Sequence, residues 1–148
     1  MQLVKSTLSV LIILFQLSSA FAQEWQTDLN EAQQLAQSQN KTIVLVFSGS
    51  DWCAPCIKLE KQIWDTDEFK AYAKDNFVML RADFPRKKAN KLPEQQAKKN
   101  NLLAEKYNPE GYFPLVVVLN KNLSVLGKTG YKSMTPAEYI EHLNSFIH

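Results

Sequence analysis

Two kinds of hydrophobic pattern alternate along the chain. Continuous apolar runs rich in β-branched residues occur at 42–47 (TIVLVF) and 115–119 (LVVVL), and 77–83 (FVMLRAD) is apolar first and mixed toward its end. A run that is apolar at successive positions is typical of a strand covered on both faces of a sheet. A shorter run, 123–127 (LSVLG), follows the run at 115–119 across Asn-Lys-Asn and predicts a hairpin. The chain therefore contains about four predicted strands.

Between these runs, apolar residues recur at spacings of three and four, which predicts helices. Residues that favour helix starts precede them: Thr27 or Asp28, with Glu31 three residues after Asp28, then Thr66 and Thr135. Pro136 stands at the first position of the last helix, where its missing N–H costs nothing. The alternation predicts a single α/β domain with a central mixed sheet of about four strands, flanked by helices on both faces.

The first 22 residues have a different composition. Lys5 is followed by an apolar run at 8–17 (LSVLIILFQL), and Ala-Phe-Ala at 20–22 ends the segment. A basic start, a short apolar stretch and an Ala-x-Ala ending are the three parts of a secretory signal peptide. A retained membrane anchor would need about 20 apolar residues. We therefore expect residues 1–22 to be a cleaved signal peptide, residues 23–148 to be the mature domain, and the protein to be periplasmic or secreted.

Charge narrows the possible partners. The chain is 45% hydrophobic and 22% charged, and its net charge of +2 falls to +1 without Lys5. A near-neutral domain gives no electrostatic basis for binding nucleic acid or a membrane surface. The stretch at 85–91 (PRKKANK) is locally basic. It is either a solvated loop or a docking surface for an acidic partner.

Cys53 and Cys56 are the only cysteines in the chain. As a structural staple they would close a very small loop, for which the gain from loop closure is smallest. A tetrahedral zinc site needs four ligands, and the chain has only two histidines, His142 and His148, so we expect no metal or other cofactor. Covalent haem attachment would need histidine where Ile57 stands. A redox-active pair is the favoured interpretation.

The predicted helix start gives the two thiols different roles. Cys53 immediately precedes the helix, where free N–H groups and the helix dipole stabilise an anion, so we expect its thiolate to form at a lower pH than that of a free cysteine. The Cys53 sulfur is expected to be exposed, whereas Cys56 lies one turn further on and is expected to be shielded. Cys53 would then attack a substrate disulfide, and Cys56 would resolve the mixed disulfide. Pro55 stiffens the turn between them.

The string Trp-Cys-Ala-Pro-Cys at 52–56 follows an apolar strand, and Tyr-Phe-Pro at 112–114 leads into another. Together these motifs resemble the thioredoxin superfamily, and the likeness covers nearly the whole mature chain. More narrowly, the stretch at 40–64 is similar to exported bacterial thioredoxin-like proteins that lack the leading strand of thioredoxin itself. Here only residues 24–26 could occupy that place.

The resemblance implies a thioredoxin-like fold and a thiol-disulfide oxidoreductase. It implies a cis bond before Pro114, and it makes Phe113 and Pro114 the second half of a substrate-binding groove. Trp52 would be a lid beside Cys53 that also contacts substrate; without the resemblance it is simply a partly buried aromatic residue. These assignments depend on the likeness, since about 5–6% of X-Pro bonds in folded proteins are cis.

The resemblance also suggests whether the protein reduces or oxidises disulfides, and which partners it needs. Ala54 and Pro55, between the cysteines, are closer to the reducing Gly-Pro pattern than to oxidising patterns that contain histidine. We therefore expect a monomeric reductase of protein disulfides, supplied with electrons by a membrane-bound donor. The alternative is a non-catalytic binding or chaperone-like module that uses the groove around Trp52, Tyr112 and Phe113.

The chain departs from the thioredoxin pattern at one position. Thioredoxins carry a buried acid six residues before the first cysteine, and here that residue is Phe47. Either another group such as Glu60 or water takes the proton of the second thiol, or the resolving step is slower. A glutamate four residues after Cys56 is usually only a solvated charge. Asp51 is either a turn residue or, if its charge lies close, a group that disfavours the thiolate.

Overall fold

Five strands form the central sheet in the computed structural model, which describes residues 22–148. In chain order they are β1 (Trp25–Gln26), β2 (Thr42–Ser48), β3 (Phe77–Asp83), β4 (Leu115–Leu119) and β5 (Val125–Thr129). Their spatial order is β1-β3-β2-β4-β5, with β3 parallel to both β1 and β2, and β4 antiparallel to β2 and β5. The predicted mixed sheet is confirmed. Residues 1–21 of the predicted signal peptide lie outside the described residues.

The sheet has one strand more than predicted because β1 adds a short edge. Its two residues pair with Met79 and Leu80 of β3. The indole of Trp25 packs edge-on against Trp64, with 6.2 Å between ring centroids, and lies under the guanidinium of Arg81 at 3.9 Å. A two-residue strand leaves no alternation in the sequence by which to recognise it. Its formation depends on these distant contacts.

The described part of the chain also contains five α-helices. They are α1 (Leu29–Gln39), α2 (Ala54–Leu59), α3 (Asp67–Asn76), α4 (Glu94–Tyr107) and α5 (Pro136–Asn144), and a π-helical turn (Glu60–Trp64) follows α2. The predicted caps are present: the side chains of Asp28, Thr66 and Thr135 each accept a backbone N–H of the first turn. Such a cap stabilises a helix by about 1 kcal/mol. No helix among residues 22–148 is both long and apolar enough to cross a bilayer.

Alternate residues of β2 face two separate hydrophobic clusters. Val44 and Val46 pack with residues of α3 and α5 on one face, and Ile43, Leu45 and Phe47 pack with α1 and α4 on the other. All five residues are at most 2% exposed. The prediction of helices on both faces is therefore confirmed. Strand β2 is therefore a buried support for the turn that follows Ser48.

The last hairpin begins later than predicted. The sequence pattern predicts a strand at 123–127, whereas β5 runs from Val125 to Thr129. The side-chain oxygen of Asn120 accepts hydrogen bonds from the N–H groups of Asn122 and Ser124, both at 2.9 Å, and Leu123 has a left-handed φ of 66°. The turn therefore takes up residues that an apolar pattern assigns to the strand.

Candidate active site

A tight turn connects the end of β2 to the start of α2. The carbonyl of Gly49 accepts hydrogen bonds from the N–H groups of Trp52, at 3.2 Å, and Cys53, at 2.9 Å. A Cβ atom at position 49 would lie less than 3.0 Å from three atoms of the Trp52 indole. Position 49 therefore requires glycine, because the indole of Trp52 lies too close for any Cβ atom. This contact helps to place Trp52 directly before Cys53.

Cys53 is the N-cap residue of α2 and forms a disulfide with Cys56. Its backbone is extended, at φ −94° and ψ 103°, and its Sγ accepts a hydrogen bond from the N–H of Cys56 at 3.3 Å. The Cα atoms of the two cysteines are 5.2 Å apart. Pro55 occupies the first turn, where its missing N–H leaves no bond unmade. The predicted position of the pair at a helix start is confirmed.

The predicted difference in exposure between the two cysteines is wrong for the disulfide form. Cys53 and Cys56 are each 4% exposed. Because Cys53 Sγ is bonded to Cys56 and accepts its N–H, that sulfur is drawn onto the end of the helix. Cys56 is not sealed off either, since it lines a cleft of about 240 Å³ together with Glu60 and Arg81. In this form, burial does not distinguish the two sulfurs.

The loop before β4 reaches the same end of the sheet. Leu115 pairs with Phe47, so Pro114 lies beside the end of β2 from which the cysteine turn departs. The bond between Phe113 and Pro114 is cis, as the resemblance implied. The ring of Phe113 packs edge-on against the indole of Trp52, with 5.4 Å between centroids. Trp52, Phe113 and Pro114 are therefore brought together with the cysteine turn.

The charge of Asp51 is used to hold a distant segment. Its carboxylate accepts hydrogen bonds from the N–H groups of Arg86 and Lys87 and from the side-chain amide of Asn90, each at 3.0 Å. The Arg86 N–H and the Asn90 amide keep the pKa of Asp51 below its usual value. Ser50 reinforces this connection through its N–H and hydroxyl, which both bind the Asp83 carboxylate. Asp51 is thus more than the turn residue that the sequence suggests.

Trp52 is fixed by three different groups. Its indole N–H donates to the carbonyl of Phe84 at 2.7 Å, and the guanidinium of Arg86 lies 3.6 Å from the centre of the ring. Phe113 packs against it as described above. Sequence analysis identified Trp52 and Phe113 but missed Phe84 and Arg86, because these contacts span 32 or more residues and no local pattern signals them.

The position of the thioredoxin acid is filled by an apolar side chain. Phe47 is fully buried. Glu60 and Asp65 both line the cleft beside Cys56, and both carboxylate oxygens of Glu60 accept from Arg81, at 2.8 and 2.7 Å. Its side chain is 31% exposed. The expectation that Glu60 is only a solvated charge is therefore wrong, since it forms an ion pair in the cleft that Cys56 lines.

The arrangement defines a dithiol-disulfide redox site. A disulfide at the start of a helix, at the end of the central strand and beside a cis-proline loop can open by thiol exchange and close again. A family model described as "Thioredoxin-like" matches residues 24–121. The chain belongs to this thioredoxin-like family, and together with the cysteine pair the membership identifies it as a thiol-disulfide oxidoreductase.

Individual proteins show the same likeness. "Disulfide bond reductase DsbH" of Chlamydia pneumoniae is 36% identical over 117 residues, which make up 79% of this chain and 69% of that protein. A solved structure titled "DsbH Oxidoreductase" is 34% identical, covers 84% of this chain and 83% of its own, and gives a TM-score of 0.77. A thioredoxin from Thermus thermophilus, at 19% identity, covers 84% and 86% with a TM-score of 0.60, and so shares the fold.

The close approach of Gly49 to Trp52 generates a testable prediction. Gly49→Ala should push the indole out of its place against Arg86 and Phe113, because the added methyl overlaps the ring. We expect a shift in tryptophan fluorescence and slower disulfide exchange. The same substitution in a Trp52→Phe background reports on Trp25 and Trp64 and should leave the emission spectrum unchanged. An unaltered spectrum of Gly49→Ala with Trp52 present would contradict this description.

Proposed function

We propose that the protein is a reductase of protein disulfides that works outside the cytoplasm. The observation that carries the proposal is the Cys53–Cys56 disulfide at the start of α2, in a chain 36% identical to a protein named a disulfide bond reductase. The signal-peptide pattern of residues 1–22 supports export. In such a compartment protein disulfides persist and can serve as substrates.

The reaction begins from the reduced dithiol. The Cys53 thiolate attacks one sulfur of the substrate disulfide; a bond forms between Cys53 Sγ and that sulfur, and the substrate S–S bond breaks. The other substrate sulfur leaves as a thiolate and takes up a proton. The Cys56 N–H, which donates to Cys53 Sγ in the disulfide form, and the dipole of α2 favour the attacking thiolate, because both interact favourably with its negative charge.

Cys56 then resolves the mixed disulfide. Its thiol gives up a proton and its sulfur attacks Cys53 Sγ, which re-forms the Cys53–Cys56 bond and releases the second substrate thiol. In total, two electrons and two protons pass from the enzyme to the substrate. Since position 47 holds Phe47 instead of an acid, we propose that the proton leaves through the cleft that Cys56 lines, which also holds the carboxylates of Glu60 and Asp65.

Two aromatic residues and one proline are proposed to line the groove that contacts the substrate chain, and a further aromatic residue extends it. Trp52 flanks the attacking cysteine, and Phe113 and Pro114 form the facing wall. Tyr112, which is 62% exposed, extends this wall toward solvent. Large partly exposed aromatic side chains offer contact area at a low cost in side-chain entropy. The groove therefore suits extended segments of disulfide-bonded polypeptides.

A reductase needs a source of electrons to return to the dithiol form. We propose a membrane-bound donor that reduces the Cys53–Cys56 disulfide through the same exposed groove, and a monomeric enzyme. Donor and substrate would then bind at one site in turn. A single site for both is expected because the two cysteines are three positions apart in one turn of the chain.

Trapping the mixed disulfide tests the assigned order of attack. Cys56→Ser should accumulate a covalent complex with a disulfide-bonded protein substrate, because the resolving sulfur is absent. Cys53→Ser should form no such complex, and the double variant is the matched control. Non-reducing electrophoresis and mass spectrometry detect the adduct. A complex that forms through Cys56 in Cys53→Ser, but not in Cys56→Ser, would reverse the assignment.

The reduction potential of the cysteine pair tests the proposed direction. We expect a value near that of thioredoxin, about −270 mV, rather than that of the oxidant DsbA, about −120 mV. Equilibration with dithiothreitol redox buffers and counting of free thiols gives the value. Pro55→His should raise the potential, because a cation near Cys53 stabilises the reduced form. A wild-type value close to that of DsbA would contradict a reductase.

A further inference from the structure

The segment that follows β3 concentrates positive charge. Residues 86–91, here called the basic segment, contain Arg86, Lys87, Lys88 and Lys91, and all six residues are exposed. The whole chain carries a net charge of only +2, so this density is local. Within residues 22–148 the two salt bridges are Arg81–Glu60 and Lys99–Asp28. None of the four cations of the basic segment is neutralised by a salt bridge.

The structure fixes the basic segment to the cysteine turn. The Asp51 carboxylate binds the N–H groups of Arg86 and Lys87 and the amide of Asn90, which ties down both ends of the short helical turn at Lys88–Asn90. A freely solvated loop needs no such anchor. Because Asp51 lies two residues before Cys53, the cations are held near the disulfide.

A second connection runs through the substrate groove. The guanidinium of Arg86 stacks on Trp52, and Phe84, two residues earlier, packs edge-on against Phe113 with 5.4 Å between centroids. The basic segment is thus continuous with the wall that the proposed function assigns to the substrate. The carboxylates at its base, Asp51 and Asp83, are occupied by N–H and O–H donors. These hydrogen bonds do not neutralise the two carboxylates, so the four cations of the basic segment less Asp51 and Asp83 leave this surface with a net charge of +2.

We infer that the basic segment is a docking surface for acidic polypeptide segments that flank the disulfide of a protein substrate. The inference rests on the proposed function and adds a substrate class to it. Fixed cations beside the groove raise the local concentration of acidic chains and speed their encounter with Cys53, whereas they repel basic chains. The effect weakens with salt, because exposed charges are screened.

Two arms of one experiment test the inference and the function separately. In the first arm, the reduced protein is mixed with peptides of equal length that contain one disulfide flanked by glutamates, serines or lysines. Each rate is expressed relative to the rate with the neutral bis(2-hydroxyethyl) disulfide. In the second arm, binding of cysteine-free glutamate-rich and lysine-rich peptides to the oxidised protein is measured by fluorescence anisotropy.

We expect the glutamate-flanked peptide to react at least about tenfold faster than the lysine-flanked one at 0.01 M salt. This preference should vanish near 1 M salt, where the screening length falls from about 30 to about 3 Å. Lys87→Glu with Lys88→Glu should abolish or reverse it. Lys41→Glu with Lys121→Glu makes the same charge change and should retain the preference, since Lys41 precedes β2 at the end opposite the cysteines.

Equal rates for the acidic and basic peptides, or equal losses in the two double variants, would overturn the docking surface while leaving the reductase intact. No reaction even with the neutral disulfide would instead overturn the proposed function. The anisotropy arm then decides on the docking surface alone. Tighter binding of the glutamate-rich peptide, lost in Lys87→Glu with Lys88→Glu, supports it, and equal binding of both peptides refutes it.

Discussion

The site depends on one constraint: Cys53 must end a turn and begin a helix at the same time. Its extended backbone and its sulfur, which accepts the Cys56 N–H, together cap α2. A reactive sulfur is thereby held at the positive end of the helix dipole, where it accepts the Cys56 N–H, and its partner follows one turn later. Because β2 is buried on both faces, the turn starts from the hydrophobic core of the fold.

The turn is also held from outside. Ser50, Asp51 and Trp52 each bind a group on β3 or just after it, at Asp83, Arg86 and Phe84. Strand β3 pairs with β2 over seven residue pairs, so the two ends that these side chains connect are already in register. The cysteine turn, the aromatic groove around Trp52 and Phe113, and the basic segment are therefore all anchored to the ends of β2 and β3. The proposed thiol exchange and the proposed substrate selection take place at the same end of the sheet.

Much of this arrangement could be predicted from the sequence because its signals are local. Helix caps at Asp28, Thr66 and Thr135 and the apolar runs of the central strands depend on residues within a few positions of each other. The cysteine pair and the proline loop were recognisable from short strings. Strand β1 lies within residues 24–26, where the resemblance leaves room for a leading strand, but it was not among the predicted strands, because two residues cannot show a period.

The remaining features come from contacts between distant parts of the chain. Asp51 binds residues 35 to 39 positions away, and Glu60 binds Arg81 at a separation of 21. No periodicity encodes such pairs, so the sequence alone does not show that Asp51 holds residues 86–90 or that Glu60 pairs with Arg81. Exposure of Cys53 was wrongly predicted from the helix start alone. The helix start places Cys53 Sγ at the end of α2. The disulfide and the hydrogen bond from the Cys56 N–H determine how much of that sulfur is buried.

The central claim is that Cys53, and not Cys56, is the sulfur that reacts with substrates, although both are equally buried in the disulfide form. Competitive alkylation of the fully reduced protein at neutral pH, followed by peptide mapping, tests this claim most directly. The account predicts that Cys53 is modified first, and faster than the thiol of a short unstructured peptide. Equal or faster modification of Cys56, through the cleft that it lines, would contradict it.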